Sequence, residues 1–141
     1  QHIEWGLNSL LGAPQQIFWR DQPLTPGSVR TSLEFRAPIG TAAKIATALK
    51  GWHYLRFEVS ELGTHTGELF RFTPELGIHR ATVDQVGTIL ISEDQIRKAL
   101  AHFDELEVRE NLERTLGNDW EVALEPYRGV DLQEVARLRA I

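Results

Sequence analysis

Lys44 sits three residues after Thr41 and four after Gly40, with Gly51 further on. A glycine, a hydroxyl group and a lysine at the head of a helix are the residue types that cradle a phosphate. The P-loop, however, needs G-x-x-x-x-G-K-[ST], because its glycines let backbone N–H groups wrap the anion while the lysine reaches the terminal phosphates. In "GTAAKIATALKG" the lysine follows alanine, precedes Ile45 and has no second glycine ahead of it. The stretch therefore reads as a helix with specified ends, Thr41 placed to cap the first turn and Gly51 suited to a left-handed stop.

Other catalytic patterns fail on spacing. His2, His53, His65, His79 and His102 are scattered, and no His-x-x-x-His pair occurs for a helical metal site. None of Ser9, Ser28, Ser32, Ser60 and Ser92 lies in a G-x-S-x-G elbow. With no cysteine in 141 residues, disulfides, zinc-thiolate sites and thiol nucleophiles are excluded. No catalytic residue, metal ligand or cofactor site is assigned.

Two surfaces remain. Arg30, Arg36 and Arg56 alternate with Glu34 and Glu58 in strand-like runs; cross-strand ion pairing explains that pattern, and an open sheet face with three arginines would also hold a carboxylate or phosphate. The second surface is acidic: residues 93–121 carry nine acids against four bases. Asp104, Glu107, Glu110 and Glu113 on that helix, with Trp120 and Tyr127 in an aromatic connector after it, form the expected docking surface, charge steering a basic partner and aromatics anchoring it.

The elements that must position these residues follow from periodicity. Ile3, Leu7, Leu10 and Leu11 recur at helical spacing up to Gly12-Ala13-Pro14. "QIFWRD" and "VRTSLEFR" predict an antiparallel hairpin across a Pro-Gly turn. Ala42, Ile45, Ala46 and Leu49 make the apolar face of the next helix, and Leu55, Phe57 and Val59 predict a strand buried on one side. Residues 67–92 read as a meander broken at Pro74–Gly77 and Asp84-Gln85. Ser92 with Gln95 forms a capping box, opening a long helix whose apolar residues include Ile96, Ala99, Leu100, Phe103, Leu112 and Leu116 and which runs toward Gly117, with a break near residues 106–108. The Trp120–Tyr127 connector contains Pro126, and Asp131 with Glu134 caps a last helix.

The expected fold is α+β, a ferredoxin-like βαββαβ unit extended by a meander and C-terminal helices. Its first strand is expected upstream of residue 1, since the chain has no methionine and opens on Gln1 before a helical pattern. One domain over 1–141 is expected: a ferredoxin-like part to residue 60, a meander over 61–91 and a helical part over 92–141. A chain of this size buries roughly two-thirds of its unfolded surface.

Charge narrows the partners. The net of −5 divides into 8 Lys and Arg against 7 Asp and Glu in residues 1–80, and 7 against 13 in residues 81–141. An acidic C-terminal half repels phosphate backbones, so nucleic acid is not expected. No apolar run reaches the roughly 20 residues of a membrane helix, and no leader pattern is present. A cytoplasmic location and a protein partner are expected.

"HIEWGLNSLLG", "GTAAKIATALKGWHYLRFEVSE", "FTPELGIHRATVDQVGTILISEDQIRKAL" and "LEPYR" together resemble an actinobacterial family known as domain of unknown function 3145, over residues 2 to about 128. The resemblance implies a strand before the first helix and a regulatory protein that binds and restrains an acyl-CoA carboxylase; it implies no catalytic residue. The leading expectation is a non-catalytic, protein-binding regulatory module. The alternative is a small-molecule or acyl-CoA-handling enzyme, or a ligand-binding domain, using Arg30, Arg36 and Arg56.

Overall fold

The computed structural model describes residues 2–12 and 17–140, with His2 and residues 131–140 described as backbone alone. The inferred upstream strand lies outside them. Helix α1 (His2–Leu11) leads into a two-stranded ribbon, β1 (Arg20–Asp21) and β2 (Val29–Arg30), then α2 (Thr41–Leu49). Strands β3 (Phe57–Leu62), β4 (Gly67–Thr73), β5 (Gly77–Val83) and β6 (Ile89–Leu90) form an antiparallel sheet in chain order. Helices α3 (Glu93–Leu100), α4 (Glu105–Leu116) and α5 (Asn118–Ala140) follow. The fold is α+β. The β1–β2 ribbon, paired Arg20↔Arg30 and Asp21↔Val29, is a separate sheet, whereas a ferredoxin-like unit would set it beside β3.

Alternation along β3 and β4 explains why both faces of the meander are covered. Phe57 and Val59 pair across the strands with Phe72 and Phe70, so all four project to one face. There Leu7 of α1 and Ile45 and Leu49 of α2 pack with Phe57 and Val59, while Ala42 and Ala46 bring α2 close to Phe70. The Phe57 and Phe72 rings stack at 5.2 Å. Small residues along one stripe of α2 thus set the close approach of helix to sheet. The opposite face carries Glu58, Arg71, His79, Ala81 and Val83 and lies under the α4–α5 junction, where Trp120, Leu124 and Val130 of α5 are buried.

Several sequence expectations change. The alternation through residues 31–36 forms no strand; residues 31–38 are irregular and mostly exposed. The long helix breaks at residues 101–104, not at 106–108, with Asp104 Oδ1 accepting from Leu106 N–H at 3.1 Å as the new cap. The Ser92–Gln95 capping box is present in both directions, at 3.0 and 3.2 Å. The supposed connector is helix: α5 continues through Pro126 in place of a separate capped segment after Asp131. A proline inside a helix costs about 3 kcal/mol, and the buried residues on both sides of it offset that cost.

Candidate functional site

The start of α2 is the first place to look for an anion. Gly40 occupies the N-cap with φ 97°, and Thr41, the first helical residue, donates its hydroxyl to Pro38 O at 2.6 Å. Thr41 is therefore no cap. The free N–H groups are taken by the chain's own carboxylate: Glu61 Oε1 accepts from Gly40 N–H at 2.8 Å and from Ala42 N–H at 3.3 Å. That oxygen stands where a phosphate oxygen would bind, and its negative charge suits the helix dipole. Gly51 does not adopt the left-handed conformation either; Lys50 closes the helix. The glycine and threonine of this stretch serve structure, and Lys44 is exposed on the helix surface.

The densest cluster of charge is on the other face of the sheet. Arg71, flanked by Phe70 and Phe72 in β4, is 1% exposed. Its Nη1 donates to Glu121 Oε2 at 2.9 Å and its Nη2 donates to Leu116 O at 3.0 Å; Nη2 also lies 3.3 Å from His79 Nδ1, while Nε has no partner. His79, opposite Arg71 in register, is 3.0 Å from Thr115 O through Nε2. A carbonyl can only accept, so Nε2 carries the proton and Nδ1 presents a lone pair to Arg71. Trp120 covers the imidazole at 4.8 Å between ring centroids and donates Nε1–H to Gly77 O at 2.9 Å.

Outside this buried core Arg128 gathers the carboxylates. Its Nε and Nη2 meet Glu58, and its Nη1 meets Glu121 at 2.8 Å and Glu125 at 2.7 Å. Glu121 thus bridges a buried and a half-buried arginine. Hydrogen bonding to Arg128 holds the Glu121 carboxyl below its ordinary range, and the bonds from Glu121 and Glu58 raise the Arg128 guanidinium. Burial lowers the Arg71 guanidinium, opposed by Glu121 and Glu58. These groups bind one another, leaving neither a free general base nor an accessible nucleophile among them. Their chemistry is that of a lock joining β4 and β5 to the turn between α4 and α5.

Burial also lowers the pKa of His79, reinforced by the Arg71 charge and opposed by the Thr115 bond. The unfolded chain, with an ordinary histidine, takes up a proton as pH falls through about 6.5 while the folded chain refuses it. Stability is accordingly complete above about pH 6.5 and declines below it, by at most about 1.4 kcal/mol per pH unit for one proton. The carboxyl of Glu121 acts in a separate, more acidic window, below its ordinary 4.5. Urea unfolding between pH 7.5 and 5 should record this slope, and His79→Gln, whose amide retains a donor toward Thr115, should flatten it. An unchanged slope in the variant would assign the proton to another group.

The expected surface residues are dispersed. Arg30 lies in the small ribbon, its Nε donating to Asp21 O at 3.2 Å, and Arg36 in the irregular segment. Arg56 precedes β3, pairs with Glu75 at 2.6 Å and stacks over the Tyr127 ring at 5.6 Å. The three arginines do not share a sheet, which removes the common face assumed for them. Trp120 is 8% exposed, so it belongs to the interior and is not a surface anchor. Tyr127 is half-buried beneath Arg56, its hydroxyl 3.4 Å from Thr25 Oγ1. By contrast Asp104, Glu107 and Glu110 are exposed and Glu113 half-buried, all on α4 or at its cap.

Beside those acids is a feature the apolar pattern concealed. Leu100, Phe103, Val108, Leu112 and Leu116 line an open groove of about 440 Å³ between α3 and α4. Phe103 is 108% exposed, and Leu106 and Leu100 are more than half exposed. No residue of α4 is buried. These positions read as a core face in the sequence; in the structure Val108 and Leu112 are half-buried, while Leu100, Phe103, Leu106 and Leu116 are exposed. Among the described residues no three His, Asp or Glu side chains converge as metal ligands, and no helix is long and apolar enough to cross a membrane.

An antiparallel meander clasped between helical layers, with an interior arginine lock and a partly exposed helical hairpin, defines an α+β protein. The family model described as protein of unknown function (DUF3145) matches residues 1–139, and the chain belongs to that family. No curated protein and no solved structure matches it.

Proposed function

We propose that this chain is a non-catalytic regulatory module that works by docking on another protein through the α3–α4 hairpin. One observation carries the reading: a twelve-residue helix with Leu106, Val108, Leu112 and Leu116 buries none of its residues. A contiguous apolar patch rimmed by charge is costly to leave in water and marks an interaction site. The acids the sequence offered for steering, Asp104, Glu107, Glu110 and Glu113, lie on this same element, while the anchors are its aliphatic residues and Phe103 in place of Trp120 and Tyr127. The family resemblance makes an acyl-CoA carboxylase subunit the first partner to test, with inhibition as the expected regulatory effect.

The test immobilises the full chain and its Leu112→Glu variant and offers each a purified acyl-CoA carboxylase, then cell lysate. Retention of a partner by the parent and its loss from the folded variant is the expected result. Recovery of no stable partner, together with thioester turnover by the purified chain, would overturn the reading in favour of an enzyme.

A further inference from the structure

Resting on that docking reading, we infer that the occupant of the α3–α4 groove is a basic amphipathic helix of about three turns contributed by the partner. Val108, Leu112 and Leu116 stand at i, i+4 and i+8 on α4 and form one wall; Leu100 and Phe103, from the end of α3 and the loop after it, form the other. A trough between two helices is matched by the ridge of a third, whose apolar residues recur every three or four positions. Twelve residues of α4 span about 18 Å at 1.5 Å per residue, which sets the length of the occupant.

Charge selects its chemistry. Residues 100–116 contain Asp104, Glu105, Glu107, Glu110 and Glu113 against Arg109 and Arg114, a net of −3. Both bases are already engaged within the helix, Arg109 with Glu113 and Arg114 with Asn111, each at 3.2 Å. Asp104 caps α4, Glu107 lies 3.5 Å from His102 and Glu113 is paired with Arg109, so Glu105 in the groove lining is the carboxylate that a lysine- or arginine-flanked helix satisfies. A second copy presenting this same surface would instead set like charge against like around a two-fold axis, which disfavours it. The groove also lacks the convergent polar groups that orient a small ligand: its lining is five aliphatic or aromatic residues with His102, Glu105, Arg109 and Glu113 at the margin.

The probe is a fluorescein-labelled fifteen-residue peptide with leucines at helical i, i+4, i+7 and i+11 spacing and lysines on the flanks, titrated against the full chain by anisotropy. The controls are a scrambled peptide of the same composition and an analogue with glutamate for lysine. Binding of the first peptide at least about tenfold tighter than either control, lost about tenfold or more in Leu112→Glu and weakened with a reduced salt dependence in Glu105→Lys/Glu110→Lys, is the expected result. The surface charge reversal guards against a Leu112 variant that fails to fold, and circular dichroism accompanies both. Equal binding of the scrambled peptide, or light scattering that finds a dimer dissociated by Leu112→Glu, would overturn the inference. If partner capture is lost in Leu112→Glu but the helical peptide does not bind, the helical occupant falls while the docking module stands. Capture indifferent to Leu112→Glu overturns both.

Discussion

Gly117→Ala is expected to destabilise the chain by about 2–5 kcal/mol, a large effect for one added methyl group. Gly117 closes α4 at φ 77°, where an L side chain costs about 1–2 kcal/mol. The methyl would also collide with Arg71 Nη2 and approach the His79 ring to 2.6 and 2.7 Å. An arginine tip ordinarily swings aside, but this one is held by Glu121 and by Leu116 O in a space with 1% exposure. Moving it breaks those bonds, adding the about 1–3 kcal/mol typical of overpacking. Chemical denaturation measures the loss. A variant within about 1 kcal/mol of the parent would mean that the α4–α5 turn shifts freely and that the lock does not bind it to the sheet. Gly117 is not among the residues that line the α3–α4 groove, so a folded Gly117→Ala chain should retain docking.

The second large effect is an inversion of what exposure alone suggests. Glu121→Leu should cost about 3 kcal/mol although the Glu121 side chain is half exposed, whereas Arg71→Met should remain within about 2 kcal/mol of the parent although Arg71 is buried. Removing Glu121 leaves a desolvated guanidinium without its direct carboxylate, the situation that costs about 3–5 kcal/mol for a buried pair; the exposure of Glu121 and the proximity of Glu58 place the expectation at the lower end. Removing Arg71 takes the buried charge away with it, and methionine refills much of the volume. What is lost is the donor to Leu116 O and the contact with His79, roughly 1 kcal/mol per net hydrogen bond. Glu121 then still has Arg128. Paired urea melts of the two variants decide the matter: a larger loss in Arg71→Met would show that packing, not charge compensation, governs this interior.

Much of the secondary structure was legible because it depends on neighbours in the chain. The α2 face of Ala42, Ile45, Ala46 and Leu49 is buried as its 3.6-residue period requires, and the Ser92–Gln95 box operates within three residues. The meander breaks where Pro74–Gly77 and Asp84 stand, Asp84 accepting from Val86 and Thr88 N–H at 3.0 and 2.9 Å to make its turn. Gly117 ends α4 because only a residue without Cβ adopts its conformation readily. Alternation was a poorer guide over residues 31–36, since a strand also needs a partner edge, and the ribbon supplies pairing for only Val29 and Arg30.

What the tertiary structure decided are the relations between distant residues. Arg71 and Glu121 are fifty positions apart, as are no motif's spacings; the hint available was an arginine set between Phe70 and Phe72 in a strand, an unusual charge in an apolar run. Glu61 displaced Thr41 as the cap of α2 because a carboxylate nineteen residues beyond Ala42 is brought to it by β3. Pro126 stays inside α5 because burial of Trp120, Leu124 and Val130 outweighs a local preference. The apolar residues of α3 and α4 have the same period whether they face a core or water; the sequence determined that they form a stripe, and only the packing of the helices decided that Ala99 is buried, Val108 and Leu112 half-buried and Leu100, Phe103 and Leu106 open to water. Local signals depend on torsions and hydrogen bonds a few residues long, whereas the choice of what covers a surface is a competition among all apolar faces of the folded chain.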